Sequence, residues 1–206
     1  MNRVDPSEPR RHAPATSRNR AAILGVLSRI LPPTGLVLEV AAGTGEHAAF
    51  MATALPDLVW QPTDPDPLAL ASIEGHRQAA GLSNLRPAIS LDARDAEWPI
   101  HAADAVVSIN MIHIASWSAC AGLLAGAARV LPPNGALYLY GPFMVDGAHT
   151  AESNRRFDLD LRARNHDWGV RDLVEVTGMA TRCGLSLDEA VSMPANNLSV
   201  VFRNKN

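Results

Sequence analysis

Residues 36–48 read Leu36-Val-Leu-Glu-Val-Ala-Ala-Gly-Thr-Gly-Glu-His-Ala48, an apolar run that ends in two glycines. The apolar part, Leu36–Val40, is typical of a buried strand of a parallel sheet. Gly43 and Gly45 then stand where the chain turns into a helix. Glycine at such a turn allows a positive φ and lets a ligand approach the backbone more closely than a Cβ atom would permit. The segment therefore predicts a strand, a turn that can receive a ligand, and a helix.

Strands and helices alternate along the rest of the chain. Helices of this length between strands imply parallel pairing through right-handed crossovers, but the last two strands are too close for a crossover helix and must form an antiparallel hairpin. The predicted fold class is α/β, a doubly wound Rossmann-like sheet of seven strands, mostly parallel, with an antiparallel C-terminal hairpin. The predicted strands are Leu36–Val40, Leu58–Thr63, Arg86–Leu91, Ala105–Ile109, Ala136–Tyr140, Leu185–Val191 and Leu198–Phe202, and the predicted helices span about 16–31, 45–55, 67–80, 117–131, 151–165 and 170–182.

The length of 206 residues suits one domain. Residues 1–16 are polar and contain prolines, which predicts a flexible N-terminal arm followed by a single domain over 17–206. An insertion around 143–172 follows the fifth strand, and we expect it to form a helical cover over the cleft. Its polar side chains are either a solvated helix face or a substrate lid in which Arg162 or Arg171 binds a carboxylate or a phosphate.

The composition limits the kinds of partner. Apolar residues make up 47% of the chain, which argues against wholesale disorder, and the net charge is only -3. This balance gives no broad basic face for a nucleic acid or an anionic membrane, so a small-molecule substrate fits better. The two cysteines, Cys120 and Cys183, predict neither a disulfide framework nor a zinc site, and no metal is expected. No signal-peptide core or bilayer-length apolar run is present, which favours a cytoplasmic location; the sequence leaves open whether the chain forms a homodimer.

Two carboxylates follow strands next to the glycine turn. Asp64 comes at the end of the second predicted strand, where it can accept hydrogen bonds from both ribose hydroxyls of a bound nucleoside. Asp92 ends the third predicted strand, where it can reach an adenine amino group while the backbone of Ala93 contacts the ring. Either acid alone is more often a turn residue. Together, at the ends of successive strands beside Gly43 and Gly45, they predict a nucleoside site.

The same turn also fits a dinucleotide fingerprint, because Gly43-Thr-Gly-Glu-His-Ala48 has the form G-x-G-x-x-A. Three features count against a nicotinamide-dependent oxidoreductase. Glu39 is a buried acid within the strand, Glu46 would repel a pyrophosphate, and the terminal hairpin is foreign to the usual dinucleotide-binding sheet. The oxidoreductase stays the alternative function, together with a non-catalytic binding module that retains the fold.

These residues resemble a known superfamily. Glu39-x-x-x-Gly43-x-Gly45 is similar to motif I of the class I methyltransferases that use S-adenosylmethionine (SAM), Asp64 to their ribose-binding acid, and Leu91-Asp92-Ala93 to their adenine-contacting motif. The resemblance covers roughly residues 18–204 and implies a SAM-dependent methyltransferase of a small molecule. The cofactor-binding residues that it implies are Glu39, Ala41, Gly43, Gly45, Asp64, Asp92, Ala93 and Asn110.

A narrower resemblance is to a methyltransferase-like family of unknown function. It supplies a cofactor and a fold but no methyl acceptor, and fold-level analogy cannot provide one. The matching segments are Trp60–Asp66, Asn110–Ile114, Leu139–Phe143, Ser153–Asp158, Trp168–Leu173 and Met193–Asn197.

Methyl transfer requires mainly that a nucleophile is aligned with the methyl carbon, and a base is needed only when that nucleophile must lose a proton. His113 follows the fourth strand and is the candidate base; its structural alternative is to cap the next helix or to pack on Trp117. Tyr140 ends the fifth strand and is either a hydroxyl that faces the substrate or a core aromatic residue.

Two further pairs of polar residues are weaker candidates. Asn196 and Asn197 lie between the last two strands, where they form a tight turn or border the substrate mouth. Arg18 and Asn19 enter the first helix, from which they could close over the cofactor.

Overall fold

The computed structural model describes residues 10–206. Its helices and the seven strands of its main sheet follow the alternation expected from the sequence. The helices are Pro14–Ile30 (α1), Glu46–Ala54 (α2), Pro67–Ala80 (α3), Trp117–Val130 (α4), Glu152–Arg164 (α5) and Leu173–Arg182 (α6). The strands are Gly35–Val40 (β1), Leu58–Asp64 (β2), Ile89–Ser90 (β3), Ala105–Ile109 (β4), Ala136–Gly141 (β5), Phe143–Val145 (β6), Ala148–His149 (β7), Arg171–Asp172 (β8), Leu185–Met193 (β9) and Asn197–Asn204 (β10), with short 3-10 turns at Met111–His113 and Pro194–Asn196.

The main sheet has seven strands in the order β3-β2-β1-β4-β5-β10-β9. The pairs from β3 to β5 are parallel, whereas β10 runs antiparallel to both β5 and β9. This topology confirms the predicted doubly wound sheet and its antiparallel C-terminal hairpin. The carboxyl ends of β1, β2 and β4 meet at one edge, beside the point where the chain order reverses, which is where ligands bind in open α/β sheets.

The core lies on both faces of this sheet, which explains why its strands are apolar throughout rather than alternating. Neighbouring residues of β4 point to opposite sides: Val106 packs in the cluster that contains Leu123 of α4, and Val107 packs in the cluster that contains Ile23 of α1. All three are fully buried. None of the helices within residues 10–206 is long and apolar enough to cross a bilayer.

Several predicted boundaries differ from the structure by two or three residues, and two of these differences have a clear physical reason. Helix α1 begins at Pro14, inside the arm predicted for residues 1–16, because proline suits the first turn of a helix, where its missing N–H has no partner to lose. The first nine residues of that arm lie outside the described part of the chain. Strand β3 is only Ile89–Ser90 rather than 86–91. An isolated β-bridge joins Trp60 and Leu85, but Pro87 has no N–H with which the hydrogen-bonded ladder could continue from that bridge to β3.

The insertion after β5 is more varied than predicted. It contains α5, but also a second sheet of three strands in the order β7-β6-β8. These strands have two or three residues each, which is too short for an alternating pattern to be visible in the sequence.

Candidate active site

The turn after β1 has the backbone conformation that its glycines allow. Ala41, Gly43 and Gly45 all have positive φ, at 59°, 59° and 86°. A Cβ atom on Gly45 would lie 2.6 Å from the Cα atom of Ile73, so this glycine is required for α2 to pack on α3. A Cβ atom on Gly43 would meet nothing within 4 Å. The backbone of Gly43 therefore faces open space that a ligand can enter.

Asp64 lies directly against this turn. Its Oδ2 atom accepts a hydrogen bond from the N–H of Gly43 at 2.9 Å, and its Oδ1 atom accepts one from the N–H of Asp66 at 2.9 Å. Burial raises the pKa of this carboxyl, and the two amide hydrogen bonds oppose that rise. Each carboxylate oxygen keeps a further lone pair with which it can accept from a ligand hydroxyl.

Glu39 is a buried carboxyl beneath the same turn. It is 1% exposed, and its Oε2 atom accepts a hydrogen bond from Nε1 of Trp60 at 2.6 Å. Burial raises the pKa of Glu39 to about 7, although the hydrogen bond from Trp60 lowers it. A group that is half protonated near neutral pH gains strongly from an added cation, which would favour its charged form.

Three cavities run side by side along the carboxyl edge of the sheet. We call them the Asp92 cavity, the Gly43 cavity and the Tyr140 cavity, with volumes of about 310, 400 and 620 Å³. The first two share the residues Ala41, Pro65, Met111 and Ala115. The last two share Ala15, Asn110 and Ile114. The shared walls make one continuous groove with the Gly43 cavity in the middle.

The Asp92 cavity brings together the end of β3 and the segment after α5. Leu91, Asp92 and Ala93 line one side, and Trp168 lines the other. The Asp92 carboxylate accepts hydrogen bonds from the backbone N–H of Arg94 at 2.9 Å and from its guanidinium Nε at 3.0 Å. The guanidinium of Arg94 holds the pKa of Asp92 below its usual range. The carboxylate is therefore a charged acceptor at the wall of a cavity of mixed apolar and polar lining.

The Gly43 cavity contains most of the cofactor-binding candidates. Its lining includes Glu39, Ala41, Gly43, Asp64 and Asn110, which come from the ends of β1, β2 and β4. Gly45 lies below the cavity, where it is buried against Ile73. The structure thus brings the predicted residues of two neighbouring cavities to one edge of the sheet.

The Tyr140 cavity has a lining of aromatic, aliphatic and amide side chains. Burial raises the pKa of Tyr140, and hydrogen bonds with the side chains of Asn19 and Asn197 oppose the rise. Asn19 also contacts His47, since its Oδ1 atom lies 2.8 Å from Nε2 of His47. Asn110 stands at the shared wall with a left-handed backbone, φ 63°, and its N–H donates to the carbonyl of Tyr140 at 2.7 Å. Sequence patterns indicated Asn19 and Asn197 only weakly, and they did not indicate His47.

His113 does not reach the groove. It is fully buried and packs edge-to-face on Phe143, with ring centroids 4.9 Å apart. Its Nδ1 atom accepts from the N–H of Arg171 at 3.2 Å, and burial lowers its pKa to about 3. The residue lines none of the three cavities. This environment is inconsistent with the predicted base, because a fully buried imidazole that lines no cavity has no access to a substrate.

The structure also does not favour the prediction that Arg162 or Arg171 binds a carboxylate or a phosphate of a substrate. The Arg162 Nε atom donates to Asp158 at 3.0 Å. Arg171 donates through Nε to the carbonyl of Ile112 at 2.9 Å and through Nη2 to that of Ala115 at 2.6 Å. Arg171 therefore joins the turn after β4 to the insertion through its guanidinium, and Nε of Arg162 is paired with Asp158.

The segment before α1 lies across the glycine turn, which sequence patterns did not reveal. The Glu46 carboxylate accepts from the N–H of Ala13 at 2.7 Å and lies 2.9 Å from Nδ1 of His12. The N–H of Arg11 donates to Ser72 Oγ at 2.8 Å, and the Ser72 hydroxyl donates to the carbonyl of Thr44 at 2.7 Å. We call residues 11–13 the N-terminal strap. Ala13 also lines the Gly43 cavity, so the strap forms part of its wall.

This sheet, with its glycine turn and the acids at its carboxyl edge, defines the class: the chain has the fold of the SAM-dependent methyltransferases. More narrowly, the chain belongs to the protein family of unknown function DUF938, whose family model matches residues 10–204.

Solved methyltransferases share this fold at low sequence identity. An O-methyltransferase family protein from Burkholderia thailandensis superposes with a TM-score of 0.75 at 20% identity, over 93% of this chain and 58% of that one. CalO1, a methyltransferase in calicheamicin biosynthesis solved in its SAH-bound form, gives 0.73 at 21% identity, over 92% and 55%. Human N-acetylserotonin methyltransferase in complex with SAM gives 0.76 at 14% identity, over 93% and 53%. The chain thus spans little more than half the length of these proteins.

Proposed function

We propose that this chain is a SAM-dependent methyltransferase that acts on a small molecule. The observation that carries the proposal is the open space over Gly43, whose N–H is joined to Asp64 at 2.9 Å in the middle of a continuous groove. The groove has room on one side of this point for a nucleobase and on the other side for a second molecule. The likeness of the fold to solved methyltransferases supports the same function.

The residues of the Gly43 and Asp92 cavities fit the parts of SAM. Asp64 would accept hydrogen bonds from the ribose hydroxyls through its remaining lone pairs. Glu39 would face the ammonium group of the methionine part, which explains why an acid is kept in a buried strand. Leu91, Asp92 and Ala93 would hold the adenine ring and its amino group. When bound, SAM would supply a methyl group on a positively charged sulfur. The leaving group would be a neutral thioether, which needs no protonation.

The chain's own contribution to the chemistry would be alignment. Asn110 and Ile114 belong to the wall shared by the Gly43 and Tyr140 cavities, so a molecule in the Tyr140 cavity would meet the cofactor there. Holding two reactants at this contact accounts for most of what such a displacement requires. Tyr140 would act as a hydrogen-bond donor that orients the acceptor, because its raised pKa keeps the hydroxyl protonated.

Calorimetric titration with SAM and with its demethylated product S-adenosylhomocysteine (SAH) tests the proposal. We expect both to bind the wild-type protein, and Asp64→Asn to weaken binding at least about tenfold, since hydrogen bonds to a charged group contribute about 1.5–3 kcal/mol. Asp57→Asn is the matched control, because Asp57 is exposed beside the start of the same strand. Folded wild-type protein that binds neither compound at high micromolar concentration would refute the function.

The same preparation separates the alternatives named above. A nicotinamide-dependent oxidoreductase would change the fluorescence of reduced nicotinamide cofactor on mixing, whereas a methyltransferase would leave it flat. A non-catalytic module would bind SAM without ever forming SAH, so sustained SAH formation in the presence of a metabolite extract would exclude it.

A further inference from the structure

The lining of the Tyr140 cavity contains hydrogen-bonding side chains but none that is charged at neutral pH. Among the described residues, its polar side chains are those of five asparagines, Ser153 and Tyr140, and burial keeps Tyr140 neutral by raising its pKa. The apolar part includes Phe157 and Ile114, which remain 39% and 45% exposed. The five asparagines are Asn19, Asn110, Asn154, Asn196 and Asn197.

The hydrogen bonds of the wall fix which end of two amides is available. Asn154 Nδ2 donates to the carbonyl of Asn196 at 2.8 Å, and Asn197 Nδ2 donates to the carbonyl of Pro194 at 3.0 Å. Since a backbone carbonyl can only accept, the nitrogen ends of both amides must face the protein. The Oδ1 atom of Asn154 accepts no hydrogen bond from any residue in the described range, whereas the side chain of Asn197 is also hydrogen-bonded to Tyr140. The wall therefore offers at least the Oδ1 atom of Asn154 as an acceptor to a ligand that can donate.

The wall is held in an unusual backbone conformation. Ala195 and Asn196, in the turn between β9 and β10, have positive φ of 58° and 59°. Asn110 on the opposite side has a φ of 63°. Left-handed backbone at non-glycine residues costs about 1–3 kcal/mol each and tends to cluster at binding sites. Asn154 supports the turn by the hydrogen bond to Asn196, so α5 and the terminal hairpin build this wall together.

Charge decides what such a lining can accept. A carboxylate, phosphate or ammonium group placed here would lose water without gaining an opposite charge, which costs far more than the loss of one neutral hydrogen bond. An uncharged molecule with an apolar body would bury that body against Phe157 and Ile114. Its N–H or O–H groups would meet the free amide oxygen of Asn154.

We propose that the Tyr140 cavity selects an uncharged small molecule that has an apolar body and donates hydrogen bonds, and that it excludes anionic and cationic molecules of the same size. The inference rests on the proposed function, because it takes this cavity as the place of the methyl acceptor. It goes further in naming the chemical class of that acceptor and the side chains that select it.

Four bicyclic probes of nearly equal size test the selection. They are 2-naphthamide, which is neutral and donates; methyl 2-naphthoate, which is neutral and cannot donate; the 2-naphthoate anion; and 2-naphthylmethylammonium. Binding to protein saturated with SAH is measured by calorimetry and by ligand-observed NMR. We expect the amide to bind, the ester to bind several-fold more weakly, and both ions to bind at least tenfold more weakly than the amide.

Two charge-inserting variants make the test specific to this wall. Asn197→Asp and Asn110→Asp should each bring binding of the ammonium probe up to or above that of the amide. Asn134→Asp is the matched control, since Asn134 also has a left-handed backbone, φ 67°, but lies outside the cavity. Two variants on different elements are used so that poor folding of one does not remove the test.

The outcomes are distinct for the two proposals. If SAH binds but an ionic probe binds as tightly as the amide, or if no probe binds, the selection proposed here is wrong while the methyltransferase proposal stands. If SAH itself does not bind, the proposed function fails, and the probes are then compared on the protein alone.

Discussion

The backbone N–H of Gly43 donates to the Oδ2 atom of Asp64 over 2.9 Å, so the turn after β1 is fastened to the end of β2. The two residues are 21 positions apart in sequence, and their contact is possible because β1 and β2 are neighbouring parallel strands that end together. A ligand that hydrogen-bonds to Asp64 therefore lies over Gly43. This pair fixes where the ribose of a bound nucleoside would sit.

Glu39 predicts that cofactor binding depends on pH. The pKa of Glu39 is about 7 and falls when a cationic ligand binds. Below pH 7 most Glu39 carboxyls are protonated and must lose the proton on binding, so the affinity rises as the pH rises. Between pH 6 and 7.5 we expect the Kd of SAH to fall about eightfold, because the deprotonated fraction of a group with this pKa rises by that factor. Glu39→Gln keeps an acceptor for Trp60 and should abolish the dependence. Calorimetry in buffers of different ionisation enthalpy measures the released proton; an affinity independent of pH would disprove the role of Glu39.

Gly45→Ala is expected to destabilise the protein. The residue has a φ of 86°, and the new Cβ atom would lie 2.6 Å from the Cα atom of Ile73. We expect the free energy of unfolding to fall by about 1–3 kcal/mol or more. Gly25→Ala is the matched control: Gly25 lies within α1, nothing lies within 4 Å of its Cβ position, and the change should raise stability by about 0.5–1 kcal/mol. Urea unfolding followed by circular dichroism measures both, and equal effects would contradict the prediction.

We expect the carboxylate of Glu46 to hold the N-terminal strap against α2. Glu46→Gln replaces a charged acceptor of the Ala13 N–H by a neutral one and weakens the contact with His12. We expect trypsin to cleave after Arg11 several-fold faster in this variant, because cleavage requires the strap to leave α2 and α3. Glu74→Gln is the control, since Glu74 pairs with Arg77 on α3. Mass spectrometry of the early fragments gives the rates, and unchanged cleavage would mean that Glu46 does not hold the strap.

His113 predicts a loss of stability in acid. Its folded-state pKa of about 3 lies below the ordinary value of 6.5, so between these pH values the unfolded chain binds more protons than the folded one. The contribution is fully present above pH 6.5 and is lost as pH falls, by up to about 1.4 kcal/mol per pH unit. His113→Asn keeps an acceptor for the Arg171 N–H and should flatten the pH dependence between pH 7 and 5. The same change at the exposed His101 is the matched control, and equal slopes in wild type and His113→Asn would count against this.

Long apolar segments made the central fold predictable from sequence. The bounds of α3 and β4 are as predicted, at Pro67–Ala80 and Ala105–Ile109, because each has a strong pattern between clear ends. Short elements such as β7 and β8 could not be predicted, since two residues have no periodicity.

The candidate site was predictable in part, for a related reason. The carboxyl ends of neighbouring parallel strands lie at the same edge of the sheet, so Gly43 and Asp64 could be placed together from the sequence alone. Where the chain goes after a strand depends on single backbone angles. After the left-handed backbone at Asn110, the side chain of His113 is buried in the core, and the neighbouring residue types do not indicate this. The strap was missed because the N–H of Ala13, unlike a side chain, leaves no trace in the sequence.

Strand β10 lies between β5 and β9, and Val200, Val201 and Phe202 are fully buried there. A chain that emerges from the ribosome amino end first makes β1, β2 and β4 early, but the place beside β5 stays empty until β10 has emerged. The half of the groove around Gly43 and Asp64 can therefore take shape during synthesis. The half bounded by Asn196 and Asn197 is complete only when the hairpin of β9 and β10 has formed.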